Sequence, residues 1–412
     1  MKARFPSYIC GAATLVLLGL TISPGVLAAA VKETRIHVFN AGVDPNGLVA
    51  DSAGNLYGTT GSDGFYRAGT VFQVRPTPYG VWTESTIYSF TGGSDGNAPE
   101  AVLTLDAQGN LYGTTQLGGS GSCNCGTVFE LSRSASGVWK ETTLYTFAGG
   151  ADGSNPRDTK LIFDATGNLY GVTEFGGTAR GGTVFELSPQ AGGGWTESVL
   201  YAFAGGASDG ANPFGGVVFD TAGNLYGAAY TGGSSNCGGG GCGGVFELSP
   251  QAGGGWREQM IYFFQNGDDG STPDSLLIID PAGNLYGMTQ FGGSASCGTV
   301  FKLSPGTGGA WSKQTLYQFT GTPPDGCAPF LNMVRDRAGN LYGVAEAGGA
   351  NGDGAIFQIT PAGTEQTFFS FSGGNNGSGP RSLIMGPAGR AFYGVTFGLG
   401  IPGSGVIFKI SK

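Results

Sequence analysis

The sequence predicts an all-β chain, a seven-bladed β-propeller of four-stranded antiparallel blades in which the N-terminal strand completes the last blade. Three observations carry that prediction. Gly-Asn-Leu-Tyr-Gly recurs with its tyrosine at Tyr57, Tyr112, Tyr170, Tyr226, Tyr286 and Tyr342, and in altered form at Tyr393. Steps of roughly 51–60 residues mark one supersecondary unit repeated and stacked. Each unit reads as four short strands, and the two ends of the chain hold complementary parts of one unit.

The chain opens as a secretory leader. Lys2 and Arg4 precede an apolar run from Ile9 to Ile22, and small residues at 28–30 offer a cleavage site. The run is shorter than the roughly 18 residues of a membrane span, and no second candidate follows. Residues 1–30 are therefore read as a signal peptide and 31–412 as one propeller domain, secreted or periplasmic and monomeric. Loss of Lys2 and Arg4 leaves 18 basic against 29 acidic residues. That excess excludes nucleic acid or anionic lipid as the main partner. The 81 glycines and 20 prolines are periodic, so they read as turns between strands and not as disorder.

The third unit illustrates the four strands. Lys160–Phe163 is a short apolar run, and Asp164-Ala-Thr-Gly167 links it to Asn168–Thr173. A glycine-rich loop leads to Gly182–Ser188, and Pro189–Gly194 leads to Trp195–Phe203. Each run is rich in Val, Leu, Thr, Tyr and Phe and bounded by turn residues. The Asp-x-x-Gly link is a tight hairpin, its Asp accepting backbone N–H groups and its Gly taking the left-handed conformation. Asp51, Asp106, Asp164, Asp220, Asp280 and Asp336 fill this slot. Leu and Tyr of the motif are adjacent and face opposite sides of the sheet, so both faces need cover, as between neighbouring blades.

The termini decide for a closed ring over an open solenoid. The seventh unit ends after its third strand, and the missing fourth appears at Val31–Phe39, which matches Trp139–Phe147 in register. Pairing the two would remove both exposed sheet edges. His37, the only histidine, then takes the aromatic packing place of Tyr145, Tyr201, Tyr262 and Tyr317. The seventh unit reads Gly389-Arg-Ala-Phe-Tyr-Gly394, with one extra residue, which predicts a bulge in that blade.

The joint pattern of Gly-Asn-Leu-Tyr-Gly, as at Gly167 to Gly171, with Gly-Gly-Thr-Val-Phe-Glu-Leu-Ser, as at Gly181 to Ser188, resembles the GloVer tandem repeat. This repeat of exported bacterial proteins is also labelled choice-of-anchor. The resemblance covers nearly all of the mature chain. It implies export and a propeller-like fold, and it supplies no catalytic residues. Members often bear a C-terminal anchor, and none is visible here.

Blade-to-blade loops and the loops between second and third strands emerge on one face. They are the longer and more varied set, so that face is the candidate binding face. The blade-to-blade loops carry Asp-Gly-x-x-Pro at Asp95, Asp152, Asp209, Asp269 and Asp325. One reading is a ring of carboxylates around the channel mouth, binding a ligand or calcium. The other is a turn in which Pro fixes the start of the inner strand. Glu174 and Glu346 project from the same face. Six mature cysteines, even in number and in an oxidising compartment, predict the disulfides Cys237–Cys242, Cys297–Cys327 and, by elimination, Cys123–Cys125.

The five tryptophans open fourth strands at one repeated position, which fits packing at the blade edge. No catalytic triad or phosphate loop has its required context. The sequence thus points to an exported binding or scaffolding module for a glycan or an extracellular protein, with no cofactor. The alternative is a carbohydrate-active hydrolase or lyase using carboxylates at the channel mouth.

Overall fold

In the computed structural model the described residues are 31–387, 389–398 and 404–411. The leader assigned to residues 1–30 lies outside them. Among the described residues, strands β1 to β28 in chain order form seven four-stranded antiparallel sheets. Blade 1 runs from β2 (Pro45–Ala50) at the axis through β3 (Leu56–Thr60) and β4 (Thr70–Pro76) to β5 (Trp82–Ser89). Blades 2 to 6 repeat this order over β6 to β25, residues 104–370. Blade 7 contains β26 (Pro380–Met385), β27 (Ala391–Thr396) and β28 (Val406–Ser411), and its outer strand is β1 (Lys32–Val38). Glu33 lies opposite Ile410 and Val38 opposite Val406, so the N-terminal strand closes the ring.

The recurring motif is explained residue by residue. Asp164 accepts the backbone N–H of Thr166 and Asn168 at 2.8 and 2.9 Å, the Asn168 amide at 2.9 Å and the Tyr170 hydroxyl at 3.2 Å. Asp51, Asp106, Asp220 and Asp280 hold the same set. Gly167 turns the chain at φ 91°. Burial works to raise the Asp164, Asp280 and Asp336 carboxyls, but these bonds outweigh it and hold all three below the usual range.

The second glycine serves packing. A methyl at Gly171 would lie 2.6 Å from the Phe185 ring, and Gly58, Gly113, Gly227, Gly287, Gly343 and Gly394 face Phe72, Phe129, Phe246, Phe301, Phe357 and Phe408 in the same way. Each of these third-strand phenylalanines meets the phenylalanine that ends the outer strand of the preceding blade. Phe147 meets Phe185 at 5.3 Å between ring centroids, and five further blade boundaries repeat the contact. The seventh is Phe39 with Phe72 at 5.1 Å, and it exists only because the N-terminal strand closes the ring. His37 packs edge-on against Phe39 at 4.7 Å, as Tyr145 does against Phe147. Trp82, Trp139, Trp256 and Trp311 meet Tyr393, Tyr57, Tyr170 and Tyr226 of the preceding blade, which places them at the blade edge as expected.

One expectation is corrected. Blade 7 has register shifts at Pro380/Ser382 and Arg35/His37, but like shifts occur in blades without the extra residue, and between β27 and β28, next to it, the register is unbroken. The extra residue lengthens the preceding hairpin: Gly386 donates to the carbonyl of Ala391, five residues on, where Asp164 reaches Asn168, four residues on. The hairpin absorbs it because Gly386 replaces the turn-capping Asp and imposes no side-chain geometry.

A second repeated feature has a consequence for stability. Outer-strand Glu197, Glu258 and Glu365 each face the loop aspartate of the preceding blade, Asp152, Asp209 and Asp325 respectively. Burial, helped by that negative neighbour, pushes all three glutamates from 4.5 to about 7. Their Oε1 atoms have no hydrogen-bond partner. In blade 5 the same position holds Lys313, which bonds Asp269 Oδ1 at 2.7 Å.

Because these glutamates hold protons in the folded state that the unfolded chain releases, stability falls as pH rises from 4.5 towards 7. The depressed aspartates act oppositely, and only below 3.8. Thermal melts followed by circular dichroism are predicted to give a higher Tm near pH 5 than near pH 8. Glu197→Gln, Glu258→Gln and Glu365→Gln combined should narrow that gap, and an equal or higher Tm at pH 8 in the unaltered protein would refute the assignment.

Candidate functional site

The five loop aspartates are committed to their own turns. Asp152 accepts the Tyr145 hydroxyl at 3.0 Å and the Ala148 N–H at 2.7 Å. Asp95, Asp209, Asp269 and Asp325 bind Tyr88, Tyr201, Tyr262 and Tyr317 in the same way, Asp95 and Asp269 with one backbone N–H and Asp209 and Asp325 with two. Where the tyrosine changes, the aspartate changes too: Phe369 goes with Asn376, and His37 with the rearranged loop at Asp44. None of the five lines either cavity at the channel mouth. Among the described residues, no group of three or more His, Cys, Asp or Glu is placed to hold a metal ion.

The proline of the same loops positions the mouth. Pro156 seats against Gly126, the residue that opens the third strand of the blade before, and Pro213, Pro273 and Pro329 seat against Gly182, Gly243 and Gly298. In six of the seven blades the chain passes through left-handed backbone just ahead of this proline, at Ala98, Asn155, Asn212, Thr272 and Ala328 with φ 53–55° and at Gly379 with φ 61°. Such strain persists only where the surrounding structure enforces it. Its effect is to aim the residue after the proline at the axis.

Those seven residues are Asn46, Glu100, Arg157, Phe214, Asp274, Phe330 and Arg381, one from each blade, and all seven line the two cavities of the mouth. A second tier comes from the position four residues after the motif tyrosine. Gly61, Glu174, Tyr230, Gln290 and Phe397 line the same cavities. Glu346, at that position in blade 6, pairs with Arg381 at 3.3 Å. Glu174 and Glu346 therefore sit at the mouth. The first tier escaped sequence reasoning, although its signal was present as the residue following each loop proline.

The larger cavity, about 240 Å³, draws its walls from blades 3 to 6. The smaller, about 130 Å³, lies among blades 1, 2 and 7. Val102, Phe214, Phe330 and Leu331 form a buried apolar cluster at the axis. The disulfides Cys123–Cys125, Cys237–Cys242 and Cys297–Cys327 are all formed, with Cα atoms 5.2, 5.0 and 4.5 Å apart. They staple the loops of the mouth face. No helix among the described residues is long and apolar enough to cross a membrane.

A family model described as the Gloeobacter/Verrucomicrobia repeat matches residues 26–239 and 238–412. The chain belongs to that family. A search of curated proteins returned no match. Several solved structures share the propeller of this Gloeobacter/Verrucomicrobia repeat chain. One is a catalytically inactive histidine-to-alanine variant of virginiamycin B lyase from Staphylococcus aureus with quinupristin, 12% identical over 93% of this chain and 99% of that one, TM-score 0.56. Another is a protein from Lactobacillus plantarum, 15% identical over 88% and 89%, TM-score 0.54. A third is the extracellular domain of a one-component system from B. thetaiotaomicron, 13% identical over 92% of this chain and 42% of that one, TM-score 0.54. At these identities the likeness is one of fold.

The mouth of this repeat protein is electrostatically lopsided. Asp44, Glu100, Asp158, Glu174, Asp274 and Glu346 surround two guanidinium groups. Arg157 reaches Asp158 at 3.0 Å and Glu100 at 3.5 Å. Arg381 lies 4.2 Å from the Phe397 ring centroid and 5.5 Å from that of Phe330. Burial pushes Asp44, Glu100, Asp158, Glu174 and Glu346 upward, and Asp274 well above the carboxylate range. Asp274 is 1% exposed and its Oδ1 has no hydrogen-bond partner.

If the loop aspartates serve the fold, breaking one tyrosine bond should cost stability. Tyr145→Phe is predicted to lower stability by about 1–2 kcal/mol, read from the urea midpoint. Adding Asp152→Asn, the pairing blade 6 already uses, should cost less than the two single changes summed. Full additivity would argue against the pairing.

Proposed function

We propose that this protein is exported and acts outside the cytoplasm as a binding module, with the propeller mouth taking the end of a glycan. One observation carries the reading. In a chain of repeats, positions that serve the fold recur, as the Asp-Tyr and Phe-Phe pairs do. The seven residues after the loop prolines occupy one repeated position and yet include five different residue types. Divergence at a position held so tightly is what a single asymmetric ligand requires.

The chemistry suits a sugar ring. Aromatic walls from Phe214, Tyr230 and Phe330 sit beside carboxylate, amide and guanidinium groups in a cavity of about 240 Å³, below the roughly 300–1,000 Å³ of drug-sized pockets. On the loops of the same face, Phe65 and Tyr66 are 86% and 56% exposed, and Phe175 and Phe291 are 43% and 46% exposed. These aromatics would extend a glycan contact beyond one ring. The apolar leader and the three disulfides support an oxidising compartment.

A glycan array probed with the exported, purified protein tests the reading. Binding to a defined glycan set, reduced about tenfold or more by Phe214→Ala or Arg157→Ala, is the expected result. Capture of a protein ligand with no glycan bound would overturn it. Release of sugar from a bound glycan would instead identify a hydrolase or lyase.

A further inference from the structure

We propose that the larger mouth cavity takes a primary ammonium group carried on a one-ring ligand, an amino sugar, with Oδ1 of Asp274 as its acceptor. The ring rests on the glycan reading above; the charge does not. Asp274 is 1% exposed, lines the cavity, and leaves Oδ1 without a donor. A buried acceptor left empty is costly, so the missing donor belongs to whatever fills the cavity.

The surrounding charge selects the kind of donor. Asp158 and Glu346 face Asp274 and disfavour its ionisation, as burial does. Glu174 and Tyr230 line the same cavity, and Tyr230 is itself held up by burial and by Asp274. Of the two cations nearby, Arg157 is paired with Asp158 and Glu100, and Arg381 with Glu346. Positive charge is thus short at the mouth while negative charge is in excess. A hydroxyl donor would satisfy Oδ1 but leave that excess; an ammonium satisfies both. Phe214 and Tyr230 line the same cavity, where an aromatic face can add a cation–π contribution. In the empty cavity, burial and the facing Glu346 and Asp158 bias Asp274 towards its protonated form. An arriving ammonium supplies the counter-charge, so the carboxyl ionises, its proton leaves to solvent, and the N–H groups donate to the carboxylate.

Isothermal titration calorimetry of the exported protein with D-glucosamine, D-glucose and N-acetyl-D-glucosamine, near neutral pH and in two buffers of different ionisation enthalpy, tests this. Glucosamine should bind about tenfold or more tighter than the other two, with proton release on binding. Asp274→Asn should abolish the preference and the proton release, and Glu174→Gln should weaken binding several-fold, with both variants checked for native circular dichroism. Equal or tighter binding of glucose or N-acetylglucosamine would overturn the amine assignment and leave the glycan reading standing. A thermal shift with methylammonium chloride separates the two. Stabilisation that Asp274→Asn removes, in a protein that binds no glycan, keeps the cation site and rejects the sugar. Absence of binding by glucosamine and of any shift with methylammonium overturns the inference.

Discussion

One contact recurs at every blade boundary and organises the molecule: the phenylalanine ending one outer strand against the third-strand phenylalanine of the next blade. Its seven copies require the third-strand ring to lean over a residue without a side chain, which is why the motif tyrosine is followed by glycine in every unit. They also require closure, because Phe39 and Phe72 meet only when the N-terminal strand lies beside β28. Each pair is a modest gain of about 0.5–1.5 kcal/mol beyond the area it buries. Arranged in a circle, every pair depends on the others being in register. Closure also leaves no unpaired sheet edge at the junction of the two chain ends.

From that ring the mouth follows geometrically. Closed blades bring seven inner strands to one axis, and the prolines that begin them pack against glycines of the neighbouring blade. In six of the seven blades the chain turns through left-handed backbone just before that proline, so the next side chain has little freedom over where it points. The fold therefore supplies seven rigid positions and leaves their chemistry open. In this chain they carry two acids, two arginines, two phenylalanines and an asparagine. A symmetric structural role would not need that variety.

Much of this was legible in the sequence. The period, the four strands per unit, the closing strand and the pairs Cys237–Cys242 and Cys297–Cys327 follow from residue order and register, and Cys123–Cys125 only by elimination. His37 was correctly placed as a packing residue because its neighbours aligned with tyrosines. The mouth is not legible in the sequence, for a physical reason. Recurring Asp95, Asp152, Asp209, Asp269 and Asp325 drew attention as a carboxylate ring, yet recurrence marks service to the fold, and their tyrosine partners lie seven or eight residues upstream. The residues at the axis share no type, so no motif announced them. The shared proline before them was the available signal. Likewise, the raised glutamates of the outer strands face aspartates roughly 40–50 residues away in sequence, a proximity created only by blade stacking.

The dependence of the whole arrangement on strand β1 can be measured by amide hydrogen exchange resolved by mass spectrometry. If β1 seals the ring, the alternate amides of residues 32–38 that bond to β28 should exchange as slowly as those of β27 and with the same dependence on denaturant. Rapid exchange of β1 while blades 1 to 6 stay protected would mean that the ends do not join and that the seven-residue mouth is not a closed ring.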